Sequence, residues 1–226
     1  MERSRHIVVT GSAGFLGTAT VHALQGAGYL VTGIDDLSRG TAARAAQARQ
    51  FVRLDIRDRS AVEALLRSQR PDLVVHLAGR WQASQELSAP EVSAEINIGG
   101  TAALLSAVRA TKVPRVLLVQ DFRTRQGQVE VAGLIGACRQ SWGLSAVIAR
   151  VSEVGGADVS LGLGDDEPPF EGTVHHLLRA ARRQGHIAPL AQDQSLDLMH
   201  VSDAAEGLTA LVGAQQAPFN RQWRRR

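Results

Sequence analysis

Val8-Val9-Thr10-Gly11-Ser12-Ala13-Gly14-Phe15-Leu16-Gly17 reads as a buried strand, a glycine turn and the opening of a helix. The three glycines stand at i, i+3 and i+6. Glycine lets such a turn close tightly and lets a phosphate approach the backbone. The N–H groups that open the following helix can then hold a pyrophosphate, helped by the helix dipole. A glycine triplet alone is a weak signal, and the other reading is an ordinary strand–helix turn. Here the context supports the stronger one. A second apolar run, Tyr29 to Ile34, ends on Asp35-Asp36, at about the 20-residue distance that a dinucleotide-binding unit requires.

The same alternation continues outward. Strands are expected near 6–10, 29–35, 50–54, 73–78, 115–120 and 145–151. Helices are expected near 15–27, 41–49, 59–69, 91–110 and 129–142. Strands alternating with helices predict a parallel sheet covered on both faces, and right-handed crossovers make that a doubly wound α/β fold of Rossmann type. Asp58 is placed to cap the helix after it, and Pro71-Asp72 stops that helix before Leu73. Residues 152–170 carry Gly155-Gly156, Gly162, Gly164, Asp165-Asp166-Glu167 and Pro168-Pro169, which predicts a long loop. Helical character returns at 172–184. Asp203, three residues before Glu206, reads as a capping box for a last helix reaching about 213. The chain thus divides into a dinucleotide-binding core, 1–151, and a small C-terminal lobe, 152–226, in one compact unit.

Composition narrows the class. Hydrophobic residues make up 44% of 226, enough for the core of a folded domain. No apolar run approaches the roughly 18 residues of a membrane span, and no signal peptide precedes the first strand. The single Cys138 excludes an internal disulfide and leaves no cysteine cluster for a metal. A cytoplasmic protein without membrane or metal is the expectation. The net charge is +3. Arg221, Arg224, Arg225 and Arg226 form a basic tail around Trp223, but no distributed basic face accompanies it, which argues against nucleic acid.

Several side chains carry candidate chemistry. A carboxylate at Asp35 can accept both ribose hydroxyls of an adenosine and would repel a 2′-phosphate, so NAD is favoured. Arg39 nearby can pair with that phosphate, which keeps NADP open. Asp55, ending the third strand, is placed for an adenine amino group or for capping the next helix. His76-Leu77-Ala78-Gly79 ends the fourth strand in small residues that let a flat cofactor lie close, and His76 itself reads as a packed histidine. In Asn97-Ile98-Gly99-Gly100-Thr101, two glycines inside a helix cost roughly 1 kcal/mol each, which predicts close packing or local distortion.

Together these segments resemble the extended short-chain dehydrogenase/reductases, and within them the NAD-dependent epimerase/dehydratase family. The matching pieces are 10–17, Ile34-Asp35-Asp36-Leu37-Ser38, Asp55-Ile56-Arg57-Asp58, 76–79, 97–101 and Asp197-Leu198-Met199-His200-Val201-Ser202-Asp203. The resemblance assigns to the cofactor Gly11, Gly14, Phe15, Leu16, Gly17, Asp35, Asp36, Asp55, Ile56, Leu77, Ala78, Gly79 and Asn97. It implies a small-molecule or nucleotide-linked substrate. It also implies a homodimer through the helix at 129–142, where Val131, Leu134, Ile135, Cys138 and Trp142 make an apolar stripe and Gly133 and Gly136 permit close approach. The stripe's other reading is packing on its own sheet.

The family implies catalysis by Tyr-x-x-x-Lys with a Ser or Thr after the fifth strand. Here the departures begin. The chain has one tyrosine, Tyr29, and one lysine, Lys112. Counting back from Trp142-Gly143-Leu144, the two roles fall on Thr124 and Gln128, and the serine segment corresponds to Gln120-Asp121-Phe122-Arg123. The stretch from strand to helix is also shorter than the family's, and the chain ends where the family continues. Asp121, or Ser152 and Glu153 after the sixth strand, are candidate substitutes, as are the histidines His175-His176 and His200. Three readings stay open: an atypical enzyme with a non-standard acid or base, a non-catalytic dinucleotide-binding protein or partner subunit, and a non-redox enzyme reusing the scaffold. The first is preferred, because a full set of cofactor residues is hard to explain without a use for it.

Overall fold

The computed structural model describes residues 5–80, 89–121, 128–164 and 197–214. Six strands form one parallel sheet: β1 (His6–Thr10), β2 (Leu30–Asp35), β3 (Gln50–Arg53), β4 (Leu73–His76), β5 (Arg115–Asp121) and β6 (Ser145–Val151). Their spatial order is β3-β2-β1-β4-β5-β6. The chain therefore winds outward from β1 in one direction and then, from β4, in the other. The crevice at that reversal, at the strands' C-terminal ends, is where doubly wound sheets bind ligands.

The helices are α1 (Phe15–Gly26), the single turn α2 (Ala42–Ala45), α3 (Arg59–Gln69), α4 (Pro90–Ala94), α5 (Thr101–Thr111), α6 (Gln128–Trp142) and α7 (Val201–Gly213). They cover both faces of the sheet. Strand alternation explains how one run serves two cores. Val8, Val74, Val116 and Leu118 face α3, α5 and α6, where they meet Leu66, Leu104, Leu105, Val131 and Ile135. Ile7, Val9, Val75, Leu117 and Val119 face the other way and meet Val21 and Leu24 of α1 and Leu208 and Leu211 of α7. Strands buried on both sides need this continuous apolar character.

Local chemistry sets several boundaries. Asp58 caps α3 by accepting the Ala61 N–H at 3.0 Å, as its position predicts, and Asp55 takes no part in that cap. The expected helix over 41–49 shortens to the single turn of α2, with Thr41 as its cap. The expected helix over 91–110 runs from Pro90 to Thr111, with a π-helical turn at Glu95–Gly100 between α4 and α5. The glycine pair lies in that turn, so the distortion anticipated from its cost is real. Close packing is also present: a Cβ on Gly100 would lie 2.6 Å from Ile56 Cδ1.

The segment expected to be a loop carries more order than its glycines suggest. Strand β7 (Glu153–Gly155) pairs in parallel with β8 (Leu198–His200), and a 3₁₀ turn follows at Val159–Leu161. The last helix is capped by His200, whose imidazole accepts the Ser202 N–H, so Asp203 lies in the first turn rather than at the cap. The apolar stripe of α6 packs on its own sheet, with Val131, Ile135 and Cys138 buried. Gly133 and Gly136 have nothing within 4 Å of an added Cβ. The helix expected at 172–184 and the histidine pair 175–176 lie outside the described residues.

Candidate functional site

A cavity of about 270 Å³ opens at the C-terminal edge of the sheet. Gly11, Gly14, Phe15, Leu16, Gly17, Asp35, Asp36, Asp55, Ile56, Leu77, Ala78 and Gly79 all line it. Twelve residues singled out along the chain thus converge on one surface. They do so because each ends a strand or starts the element after it, and parallel strands deliver those junctions to the same edge.

The glycine turn is built by close backbone approach. Gly11 has φ +69°, and a Cβ there would meet the Ala78 nitrogen at 2.7 Å. A Cβ on Gly17 would overlap the Gly11 carbonyl oxygen outright. Gly14 differs: its N–H donates to the Gly11 carbonyl at 3.2 Å, and an added Cβ would have only that oxygen as a near neighbour. Gly14 is also the N-cap of α1, with no capping side chain and no acidic residue in the first turn. A helix start without its own anion leaves the dipole for a ligand's.

Asp35 is buried and braces this turn. Its Oδ2 accepts the Ala13 N–H at 3.1 Å and its Oδ1 accepts the Leu37 N–H at 2.8 Å. Burial pushes its carboxyl above the usual range, while those two N–H groups pull the other way and Asp36 adds to the rise. Asp36 instead turns its carboxylate to Ser38, accepting both N–H and hydroxyl. Asp55 is held below the usual range by hydrogen bonds from Arg57, whose guanidinium reaches it at 2.6 Å. Of its two anticipated roles, capping is therefore excluded and the cavity wall remains. Arg39 and Arg44 also face this half of the cavity. Arg44 comes from α2, and nothing in its local sequence marks it.

The half beyond β4 has a different character. Its walls include Leu77, Ile96, Val119, Gln120, Val151, Ser152 and Val154. All three carboxylates on the described wall sit at the β2–β3 side. Glu153 is buried, and its neighbours Ser152 and Val154 line the cavity. Strand periodicity puts i and i+2 on one face and i+1 on the other. Asp121 closes β5 opposite Val151, and Thr124 lies outside the described residues. His200 is tied to Ser202 at the start of α7. Tyr29 and Lys112 precede β2 and β5, so both sit at the N-terminal edge of the sheet, the edge away from the cavity.

Asn97 takes a different position. Its amide is not on the wall. It spans Arg80, accepting the N–H and donating to the carbonyl, each at 2.7 Å. It thus holds the wall that contains Gly79 and Arg80. His76 is fully buried between two hydroxyls, with Nδ1 2.7 Å from Thr10 Oγ1 and Nε2 3.0 Å from Thr101 Oγ1. Burial lowers its pKa from 6.5 to about 4.

A stability prediction follows. As pH falls below 6.5, unfolded chains take up a proton that native His76 refuses until about 4. Native stability is therefore lost across that window, by about 3 kcal/mol in all. The raised Asp35 carboxyl acts in the opposite sense as pH falls toward 3.8. Urea unfolding at pH 7 and pH 4.5 should show a steeper loss in the unaltered protein than in His76→Asn. Equal slopes would contradict it.

The geometry has counterparts among known proteins. The model of the NAD dependent epimerase/dehydratase family matches residues 7–120, just over half of the chain. UDP-glucose 4-epimerase of Mycolicibacterium smegmatis is 35% identical over 115 residues, which is 49% of this chain and 36% of that enzyme. UDP-glucose 4-epimerase of Streptomyces lividans is 28% identical over 94% of this chain and 72% of its own length. Among solved structures, UDP-glucose 4-epimerase from Brucella ovis in complex with NAD aligns with a TM-score of 0.82 at 24% identity, covering 92% of this chain and 72% of that one. The Thermus thermophilus enzyme in complex with NAD gives 0.78 at 23%, covering 93% and 75%. At these identities the structures speak for the fold. The glycine turn, the acidic end of β2 and the matched segment lead to one assignment: the chain belongs to the NAD dependent epimerase/dehydratase family.

Proposed function

We propose that the protein binds NAD(H) in this cavity and acts on a small, nucleotide-linked metabolite through a non-standard acid or base. The observation that carries the reading is the convergence of the glycine turn, the uncapped start of α1 and Asp35 on one cavity. The backbones at Gly11 and Ala78 approach so closely that a side chain on Gly11 would collide, which leaves a flat, side-chain-free floor. In this arrangement the Gly11–Gly17 turn holds the pyrophosphate, and Asp35, on the β2 side, holds the adenosine ribose. When bound, the nicotinamide supplies reversible hydride transfer. The chain's own part is to bind, orient and exclude water, with a mostly apolar wall beyond β4.

Titration calorimetry tests the reading directly. NAD(H) should bind the unaltered protein, and Asp35→Ala should weaken NAD more than NADP, because the lost carboxylate bonds a free 2′-hydroxyl and repels a phosphate there. No affinity for either nucleotide would defeat the proposal. An equal loss for both would remove Asp35 as the ribose ligand. Asp121, which ends β5 beside β6, is our candidate for moving the proton, and Asp121→Asn should abolish whatever turnover is found.

The second reading, a non-catalytic nucleotide-binding subunit, draws its support from Tyr29 and Lys112, both of which stand at the far edge of the sheet. A native mass spectrum with a retained nucleotide but no turnover on any nucleotide sugar would favour it. A homodimer is part of the proposal. Val129 of α6 is 74% exposed, and Gly133 and Gly136 leave the helix surface open to close approach. Light scattering at tens of micromolar should give twice the 24.1 kDa of one chain. A monomer would refute it.

A further inference from the structure

His76 is a buried titratable group that none of the binding steps above uses, and both of its ring nitrogens are hydrogen-bonded to threonine hydroxyls. Thr101 donates its hydroxyl to the Asn97 carbonyl at 2.5 Å. With that proton committed to Asn97, the Thr101 oxygen accepts from His76, which assigns the ring proton to Nε2. In a neutral ring Nδ1 is then an acceptor, and it takes the Thr10 hydroxyl proton. The Thr10 oxygen is left to accept the Ala78 N–H, which it does at 3.2 Å. The result is one directional chain: Ala78 N–H to Thr10, Thr10 to His76, His76 to Thr101, and Thr101 to the carbonyl of Asn97.

Both ends of that chain grip the same wall. Ala78 lies against Gly11 at the floor of the cavity. Asn97, in the π-helical turn, clamps the Arg80 backbone through both polar atoms of its side-chain amide. We propose that His76 is a positioning residue: its single fixed tautomer ties the π-helical turn to the glycine turn and so sets the wall, Ala78 to Arg80, against which the cofactor lies. The cofactor part of this rests on the nucleotide-binding reading above, whereas the brace itself does not. Burial supports the assignment, because desolvation disfavours a charged ring there. A protonated ring would carry two donors, and Thr10 could no longer give its proton to Nδ1.

The test separates a brace from mere packing. His76→Leu keeps the volume and removes both bonds, and Thr101→Val removes one hydroxyl. Leu105→Ala, in the same core, serves as a variant destabilised by a cavity alone. Amide exchange is followed in the unliganded protein. Exchange at Ala78 and Arg80 should accelerate about tenfold, the worth of one broken hydrogen bond, in His76→Leu or Thr101→Val relative to Leu105→Ala at matched thermal stability. The Kd for NAD should rise by a similar factor in the same variants and stay within twofold in Leu105→Ala. Equal exchange in all three would overturn the proposal, as would an imidazole nitrogen spectrum of the unaltered protein showing the proton on Nδ1. That spectrum decides the matter even if His76→Leu and Thr101→Val fail to fold. If the unaltered protein binds no nucleotide, the functional reading fails, and the exchange data still judge the brace.

Discussion

Gly17→Ala is expected to cost the protein about 3 kcal/mol or more, because the added methyl overlaps a backbone carbonyl that cannot move without opening the turn. Against a typical total of 5–15 kcal/mol, that is a large fraction. Cofactor binding should vanish with it. Gly14→Val should separate the two effects. Gly14 lines the cavity, and the only near atom to an added Cβ is the Gly11 oxygen at 3.2 Å, so the fold should survive. NAD affinity should nonetheless fall by at least about a hundredfold, some 2.7 kcal/mol. Circular dichroism with calorimetry on both variants checks the pair. A Gly17→Ala protein of unchanged Tm, or a Gly14→Val protein that still binds NAD tightly, would show that the turn has been misread.

The second large effect is an expected deficit. The relatives named above are UDP-glucose 4-epimerases, and this chain should lack that activity. Removing a positioned proton-transfer group alone costs on the order of 10² to 10⁴ in rate. A threonine such as Thr124 cannot replace a tyrosine, whose own pKa is already about 10, and the neutral Gln128 adds no positive field to help it. The chain's only tyrosine and lysine cannot substitute either. They stand at the N-terminal edge of the sheet, a strand's length from the cavity. Incubation with NAD and UDP-glucose, with UDP-galactose followed by chromatography, should show no conversion above background. Robust epimerisation would overturn this reading and the proposed role of Asp121 together.

Position along the chain does not by itself set a side chain's contacts within the site. Glu153 and Asn97 both adjoin residues that line the cavity. Glu153 is buried while Ser152 and Val154 line the cavity, because a one-residue step in a strand reverses the side chain's face. Asn97 lies in the π-helical turn, where its amide meets the backbone of Arg80. Arg44 is the converse case. An arginine in a short helix reads as a surface charge, and only the path of α2 past the glycine turn brings it to the cavity.

The order of apolar runs and glycine turns in the sequence determined the parallel sheet, its two covering layers and the edge at which a ligand would lie. Those features follow from local spacing: a strand buried on both faces, a turn that only glycine can make, a carboxylate one strand later. The tertiary structure alone decided which side chains meet. That His76 lies between Thr10 and Thr101, sequence neighbours of neither, depends on β1, β4 and α5 arriving within hydrogen-bond distance of one another. No local pattern encodes such a meeting, because each of the three residues has an ordinary reading in its own element. The direction of the protons is set only when all three are packed together and water is excluded.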